Sequence, residues 1–294
     1  MPLLKKLFGG IKPTWTKVII FAILAGIYTA VMALLPFTKD TSFADITIRF
    51  EVWILFGILI ITNSTSPKDS ALKCFVFFLI SQPLVYLIQV PFSGLGWGLF
   101  GFYKYWFLWT LLTLPMGYIG YYLKQNKWWG LLILTPTLLL LGRHYALYLG
   151  QMLYYPPRHL LSMIFCFLTL LLYPVVVFED RKLKTIGLII SVLIIAAASV
   201  LSFRNRNTYR TTPLVNGGST GAIFDDSYEV YLEDESFGNI QIEYNETLED
   251  YVVSAEFVRG GKTRLILKDP AGNKTVYEIE IGYDDFKIKN TNDQ

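Results

Sequence analysis

Seven apolar stretches follow one another through the first two thirds of the chain, separated by short polar breaks. They run over 18–37, 44–62, 71–90, 105–123, 128–149, 159–178 and 185–203. At 1.5 Å of helical rise per residue, each is near the length that crosses about 30 Å of hydrocarbon. The pattern over 1–203 therefore predicts an α-helical polytopic membrane domain with seven transmembrane helices. The first span exceeds a signal-peptide core and has no convincing small-residue cleavage site, so it is expected to be retained. Ahead of it, Leu3, Leu4, Leu7, Phe8 and Ile11 alternate with lysines. That segment reads as a short interfacial helix or, preferably, as a basic flank. Pro91 to Trp106 is apolar and Gly-rich; a surface loop is preferred there over a re-entrant segment, whose backbone would need protein partners inside lipid. Pro83, Pro115, Pro136 and Pro174 fall inside four spans. Each removes a helical hydrogen bond and favours a kink. Gln82 beside Pro83, with Pro115 at similar depth, outlines a candidate cavity.

After Phe203 the period changes. Residues 204–220 are polar with Gly and Ser and read as a linker. From 221 to 294 apolar and polar positions alternate, which predicts an all-β domain. Strand candidates are Tyr228–Leu232, 238–244 with Ile240, Ile242 and Tyr244 on one face, Tyr251–Val258, 262–268, and 275–283 with Tyr277, Ile279, Ile281 and Tyr283 on one face. Between the last two lies Asp-Pro-Ala-Gly-Asn, 269–273, a strong turn signal. The hairpin LILKDPAGNKTVYEIEI resembles the closing hairpin of bacterial immunoglobulin-like domains, in which an Asp-x-x-Gly-Asn turn joins the last two strands. The resemblance covers about residues 221–289. It implies a small antiparallel β-sandwich used outside the cell as a spacer or adhesive module, and it transfers no catalytic residue. A Cys–Trp–Cys core of the antibody type is absent.

Charge separates the same two regions. Up to Phe203 there are 16 basic and 6 acidic side chains; beyond it there are 10 and 17. The basic residues concentrate on one side: eleven flank the expected inner ends of the spans, and only Lys39, Lys104 and Arg158 lie in the short outer loops. This bias predicts a cytoplasmic N-terminus in a bacterial cytoplasmic (plasma) membrane, and an odd number of crossings then places the β domain outside. The basic half thus reflects topology, and nucleic-acid binding is not suggested. Cys74 and Cys166 lie near opposite ends of their helices and are expected to be two free thiols. The sequons at Asn245 and Asn273 read as chance matches.

Candidate chemistry is confined to charge inside the membrane, where ionisable side chains mark sites or pairs. In the second span Glu51 lies seven residues in, roughly 10 Å deep, and in the fifth Arg143 lies six from the exit, roughly 9 Å deep. Matching depth and opposite charge predict a Glu51–Arg143 ion pair, with Asp45 and Arg49 paired one turn apart on their own helix. His144, Tyr148, Arg158 and His159 gather at the same level. With Glu51 and Arg143 they form a candidate ligand site suited to a carboxylate or phosphate headgroup. The preferred reading is structural, with Arg143 snorkelling outward and tied to Glu51; a binding site ranks second and acid–base chemistry third. No catalytic residue, metal site or cofactor is expected, because phosphate-loop, zinc and nucleophile motifs are all missing. The sequence thus predicts a non-enzymatic binding, assembly or sensing component of the cell envelope. Its partners would be the lipid bilayer and an envelope polymer or protein met by the outer β domain. A transporter of a small anionic or amphiphilic solute is the alternative, and a membrane enzyme acting on a lipid-linked substrate is third.

Overall fold

The computed structural model describes residues 2–39, 41–204, 208–218 and 220–291. Among them are nine α-helices: α1 (Pro2–Leu7), α2 (Trp15–Leu34), α3 (Ser42–Ile48), α4 (Glu51–Asn63), α5 (Pro67–Gln89), α6 (Phe100–Gly120), α7 (Trp128–Tyr154), α8 (Leu160–Val177) and α9 (Arg181–Arg204). Seven strands follow: β1 (Tyr209–Val215), β2 (Glu229–Leu232), β3 (Gly238–Asn245), β4 (Asp250–Phe257), β5 (Gly261–Lys268), β6 (Lys274–Ile281) and β7 (Phe286–Asn290). The chain divides into two compact units, one of residues 1–148 with 159–200 and one of 149–158 with 201–294.

Among the described residues, five helices are long and apolar enough to cross a membrane: α2, α5 with the turn that extends it to Phe92, α7, α8 and α9. This fits a membrane location. The other two expected spans differ from the reading of the sequence. The stretch 44–62 is broken into α3, of 7 residues, and α4, of 13, which at 1.5 Å per residue reaches only about 20 Å. The 21 residues of α6 suffice in length, but Tyr, Trp, Gly, Thr and Lys104 dilute their apolar character. Residues 91–104, expected to be a loop, are partly ordered, with 3-10 turns at Val90–Phe92 and Gly96–Leu99 before α6 begins at Phe100.

Helices of the first unit approach closely where side chains are small, the usual device where lipid and core are equally apolar. A Cβ on Gly117 of α6 would stand 3.0 Å from the Ala71 Cα of α5, and Ser70 Oγ donates to Gly117 O at 2.8 Å. Val18, Ala22, Ala25, Trp53, Ile60, Cys74 and Phe77 join α2, α4 and α5 in one core. Both cysteines are free and buried. Asn63, the last residue of α4, fastens the N-terminal segment. Its Oδ1 accepts from Gly9 N and Ile11 N (3.1 and 2.7 Å), and its Nδ2 donates to Leu7 O (2.6 Å).

In the second unit two antiparallel sheets, ordered β1-β4-β3 and β2-β5-β6-β7, enclose one core. Leu214, Val253, Ala255 and Phe257 from the first sheet meet Leu232, Leu265, Leu267, Tyr277, Ile279 and Ile281 from the second. The alternation along β5 and β6 is the one the sequence displays. An immunoglobulin constant-type domain orders its seven strands 1-2-5-4 and 3-6-7, so the connectivity here is different.

The expected linker 204–220 is corrected: it supplies strand β1, while residues 205–207 and 219 lie outside those described. Pro213, which hid the strand, sits in a register shift between Thr211 and Leu214. Strand β1 is at a sheet edge, where a residue without an N–H is tolerated. The last turn of α7 belongs to this unit. Gly260 N donates to Tyr154 O at 2.7 Å, and the Tyr283 ring stacks on Tyr154 with centroids 5.8 Å apart.

Acidic turns and pairs give the β unit a defined response to pH. Asn273 donates its side-chain amide to Asp269 and holds that carboxyl below the ordinary range; Lys268 does the same for Glu229. A carboxyl depressed in the folded state stabilises it above the unfolded value, near 4. That contribution is lost as pH falls through the folded value. The melting midpoint of the strand amide infrared band is expected to fall below about pH 4, and Asp269→Asn is expected to flatten that dependence. A midpoint flat down to pH 2 would refute it.

Candidate functional site

The break between α3 and α4 positions the site. Thr41 caps α3, its Oγ1 accepting from Phe43 N at 3.3 Å. The run Ile46-Thr47-Ile48 is β-branched and weakly helical, and Arg49 leaves the helix in an extended conformation. One carbonyl orphaned at the end of α3, that of Ile46, accepts from the indole Nε1 of Trp53 at 2.9 Å. Phe50, in the break, packs on Trp106 and Trp109 of α6 at 5.2 and 4.9 Å between ring centroids. The chain restarts with Glu51 as the first residue of α4, where the helix dipole favours a carboxylate.

Glu51 is 1 % exposed and carries two partners from α7. His144 Nδ1 lies 2.7 Å from Oε2, and the Tyr148 hydroxyl donates to Oε1. His144 and Tyr148 are four apart, on one face of their helix. Asp45 on α3 forms a parallel arrangement with α8: His159 Nδ1 lies 3.0 Å from Oδ2 and 3.2 Å from Oδ1, and Ser162 Oγ donates to Oδ2. Ser162 N also donates to Ser42 Oγ at 3.1 Å, a second tie between α8 and α3. The two halves meet where the rings of Tyr148 and His159 stack, 5.8 Å between centroids and 19° apart.

His159 occupies the N-cap of α8 at φ +59°, a left-handed conformation that costs a residue with a Cβ about 1 kcal/mol or more. The bond to Asp45 holds it there. Ser162 and Cys166 follow at helical spacing on the buried face of α8.

All four oxygens of the two buried carboxylates thus have internal partners. The arrangement is closed. Ser162 donates its hydroxyl proton to Asp45, the same carboxyl that His159 Nδ1 meets. Among the described residues, no group of three or more His, Cys, Asp and Glu side chains is disposed to hold a metal ion. What the cluster does chemically is join α3 and α4 to α7 and α8 through polar contacts inside an apolar bundle, where such groups seek one another.

The structure unites Asp45, Glu51, His144, Tyr148 and His159 from the residues singled out in the sequence. It does not unite Arg143 or Arg49 with them. Arg143 is exposed and does not meet Glu51, which is a correction to the expected ion pair: neighbours on a helix face about 100° apart, and here the inward position is His144. Arg49 is likewise not the partner of Asp45. Only its backbone N–H reaches that residue, at Asp45 O, because the helix ends there. Arg158 lies with its guanidinium 4.0 Å from the centre of the Tyr155 ring. Without Arg143, the cluster lacks the intramembrane cation expected to pair with Glu51. Ser162 and Ser42 join the cluster without belonging to the candidate set read from the sequence, where Ser162 is an in-span serine with no evident partner; its place three after His159 is the available signal. Comparison with protein-family models, with curated proteins and with solved structures finds no match.

Proposed function

We propose that the protein is a multi-pass component of the bacterial cytoplasmic membrane with a non-enzymatic binding or assembly role, displaying its β unit on the outer side to an envelope polymer or a partner protein. The observation that carries this reading is the internal pairing of the buried cluster: each carboxyl oxygen of Asp45 and Glu51 meets a side chain from α7, α8 or the cap of α8, as in a latch that fastens helices together. In this reading α6 and the α3–α4 pair complete seven crossings alongside the five long apolar helices. The basic residues at one set of helix ends support a cytoplasmic N-terminus. The β unit then acts as the spacer or adhesive module that its closing hairpin resembles.

A photo-crosslinking residue at exposed Ile223 or Tyr244 tests the role in living cells. The expected result is a discrete adduct that persists in Glu51→Gln, together with labelling of a cysteine at Ser227 by an impermeant reagent. Labelling only after the membrane is opened would reverse the topology. Solute flux in proteoliposomes that disappears in Glu51→Gln would replace a binding role with transport.

A further inference from the structure

The segment ahead of the first long helix is held across one end of the membrane unit. The side chain of Asn63, at the end of α4, accepts from Gly9 N and Ile11 N and donates to Leu7 O. Gly9 turns the chain at φ +127°, a conformation that favours glycine. At the same end Trp15 opens α2, its ring centre 5.9 Å from Lys73 Nζ of α5. Residues 2–14 therefore neither prolong α2 nor trail away from it. They lie against the helix ends, at the level where a spanning bundle leaves hydrocarbon.

The segment has two unlike sides. At about 100° per residue, Lys6, Leu3 and Leu7 share one arc of α1, and Leu4 and Phe8 share the next. The first arc is exposed, whereas Leu4 and Phe8 are half-buried. Leu3 is 69 % exposed; Ile11, beyond the turn, and Trp15 are exposed as well. Apolar side chains gathered there in water forgo the gain of burial, which the boundary between acyl chains and headgroups restores. Lys6, Lys12 and Lys17 are exposed among them, and no acidic residue precedes Asp40. Asp69, in the first turn of α5, is already engaged by Lys73 Nζ at 2.7 Å and by Thr65 N at 3.0 Å. The positive charge of the segment is thus open to an anion.

We propose that residues 2–17 bind anionic phospholipid in the leaflet on their own side of the membrane. Leu3, Leu7 and Ile11 enter the acyl boundary, and Lys6, Lys12 and Lys17 meet the lipid phosphates. Lipid is the occupant that these side chains select, because apolar and cationic groups side by side suit a surface with hydrocarbon beneath and phosphate above. Each lysine near an anionic surface strengthens attachment about fivefold. Asn63 holds the backbone between them at the helix ends, so both kinds of contact are made at one depth. The inference rests on the membrane reading of the long helices and is independent of what the β unit meets.

The full-length protein tests this with a fluorophore on Leu3→Cys, the two native cysteines being buried. It is reconstituted in nanodiscs of phosphatidylcholine and phosphatidylglycerol in equal parts, with the same fraction of one lipid or the other carrying a nitroxide quencher. Both lipids are expected to quench the label, and phosphatidylglycerol to quench it more. That preference is expected to vanish in Lys6→Gln/Lys12→Gln and to shrink in high salt. Positions 3, 6 and 12 are all exposed, so the fold is not at stake. Quenching by neither lipid would place the segment in water, and equal quenching with both lysines present would leave no recognition of the anionic headgroup; either overturns the proposal. A preference undiminished in Lys6→Gln/Lys12→Gln would assign it to other lysines at the helix ends and overturn it too.

Discussion

Replacing His144 with leucine will destabilise the membrane unit by about 1–3 kcal/mol, the usual cost of leaving a buried hydrogen-bonding group without its partner. Glu51 is then left in a nearly solvent-free position with only the Tyr148 hydroxyl. An unsatisfied carboxylate in that setting must be neutralised or hydrated at the expense of packing. The double variant Glu51→Leu/His144→Leu will recover much of the loss, because two apolar side chains leave no orphan group behind. Arg143→Gln, one position away, will change stability by no more than about 0.5 kcal/mol, as exposed substitutions do. Unfolding of the purified full-length protein in mixed detergent, read as a double-mutant cycle, measures all three. A cost at Arg143 comparable to that at His144 would restore the ion pair read from the sequence and remove the one seen in the structure. A double variant as costly as the sum of the singles would mean that the two residues do not act together.

That contrast shows what the sequence made legible. Depth could be read well: Glu51 and the stretch around residue 144 do lie together. Depth cannot choose between adjacent positions on a helix, since side chains at 143 and 144 share a level and differ only in direction. The direction was available in the apolar pattern of α7. Leu134, Leu138, Leu141, Tyr145 and Tyr148 recur at helical spacing and are buried, and this face takes in His144 while leaving Arg143 outside. Here the helical period decides the partner of Glu51, and opposite charge does not. The break at Arg49 was less visible because it has neither proline nor glycine. It depends on Trp53 reaching back to Ile46 and on Phe50 packing against α6, contacts that exist only once the helices have assembled. In the β unit the hairpin of β5 and β6 was legible because alternation and the turn at Asp269–Asn273 agreed. Strand β1 was not, since its Pro213 contradicts a ladder everywhere except at the edge position that it occupies.

Gly238→Val will unfold the β unit or cost it at least about 3 kcal/mol, through two terms that add. The backbone at Gly238 has φ +147° and ψ −165°, a region essentially reserved for glycine. A Cβ there would also stand 2.1 Å from Glu256 O and 2.8 Å from Phe257 Cα. Both obstacles are main-chain atoms of the paired strand, so no rotamer change relieves the clash. The position matters because Gly238 begins β3 opposite Phe257, while the adjoining bond from Val258 N to Phe237 O, at 2.8 Å, closes the end of the ladder. Pushing the strands apart would open the core at Phe237 and Phe257, both buried. Gly272 provides the control. It too has positive φ, +90°, yet nothing lies within 4 Å of its would-be Cβ, so Gly272→Ala carries strain alone, about 1 kcal/mol. Hydrogen exchange of the strand 238–245 and 250–257 amides in the full-length protein distinguishes the two. Fast exchange throughout both strands is expected for Gly238→Val and near-native protection for Gly272→Ala. Equal protection in the two variants would mean that the close approach of β3 and β4 at Gly238 does not hold the sheet.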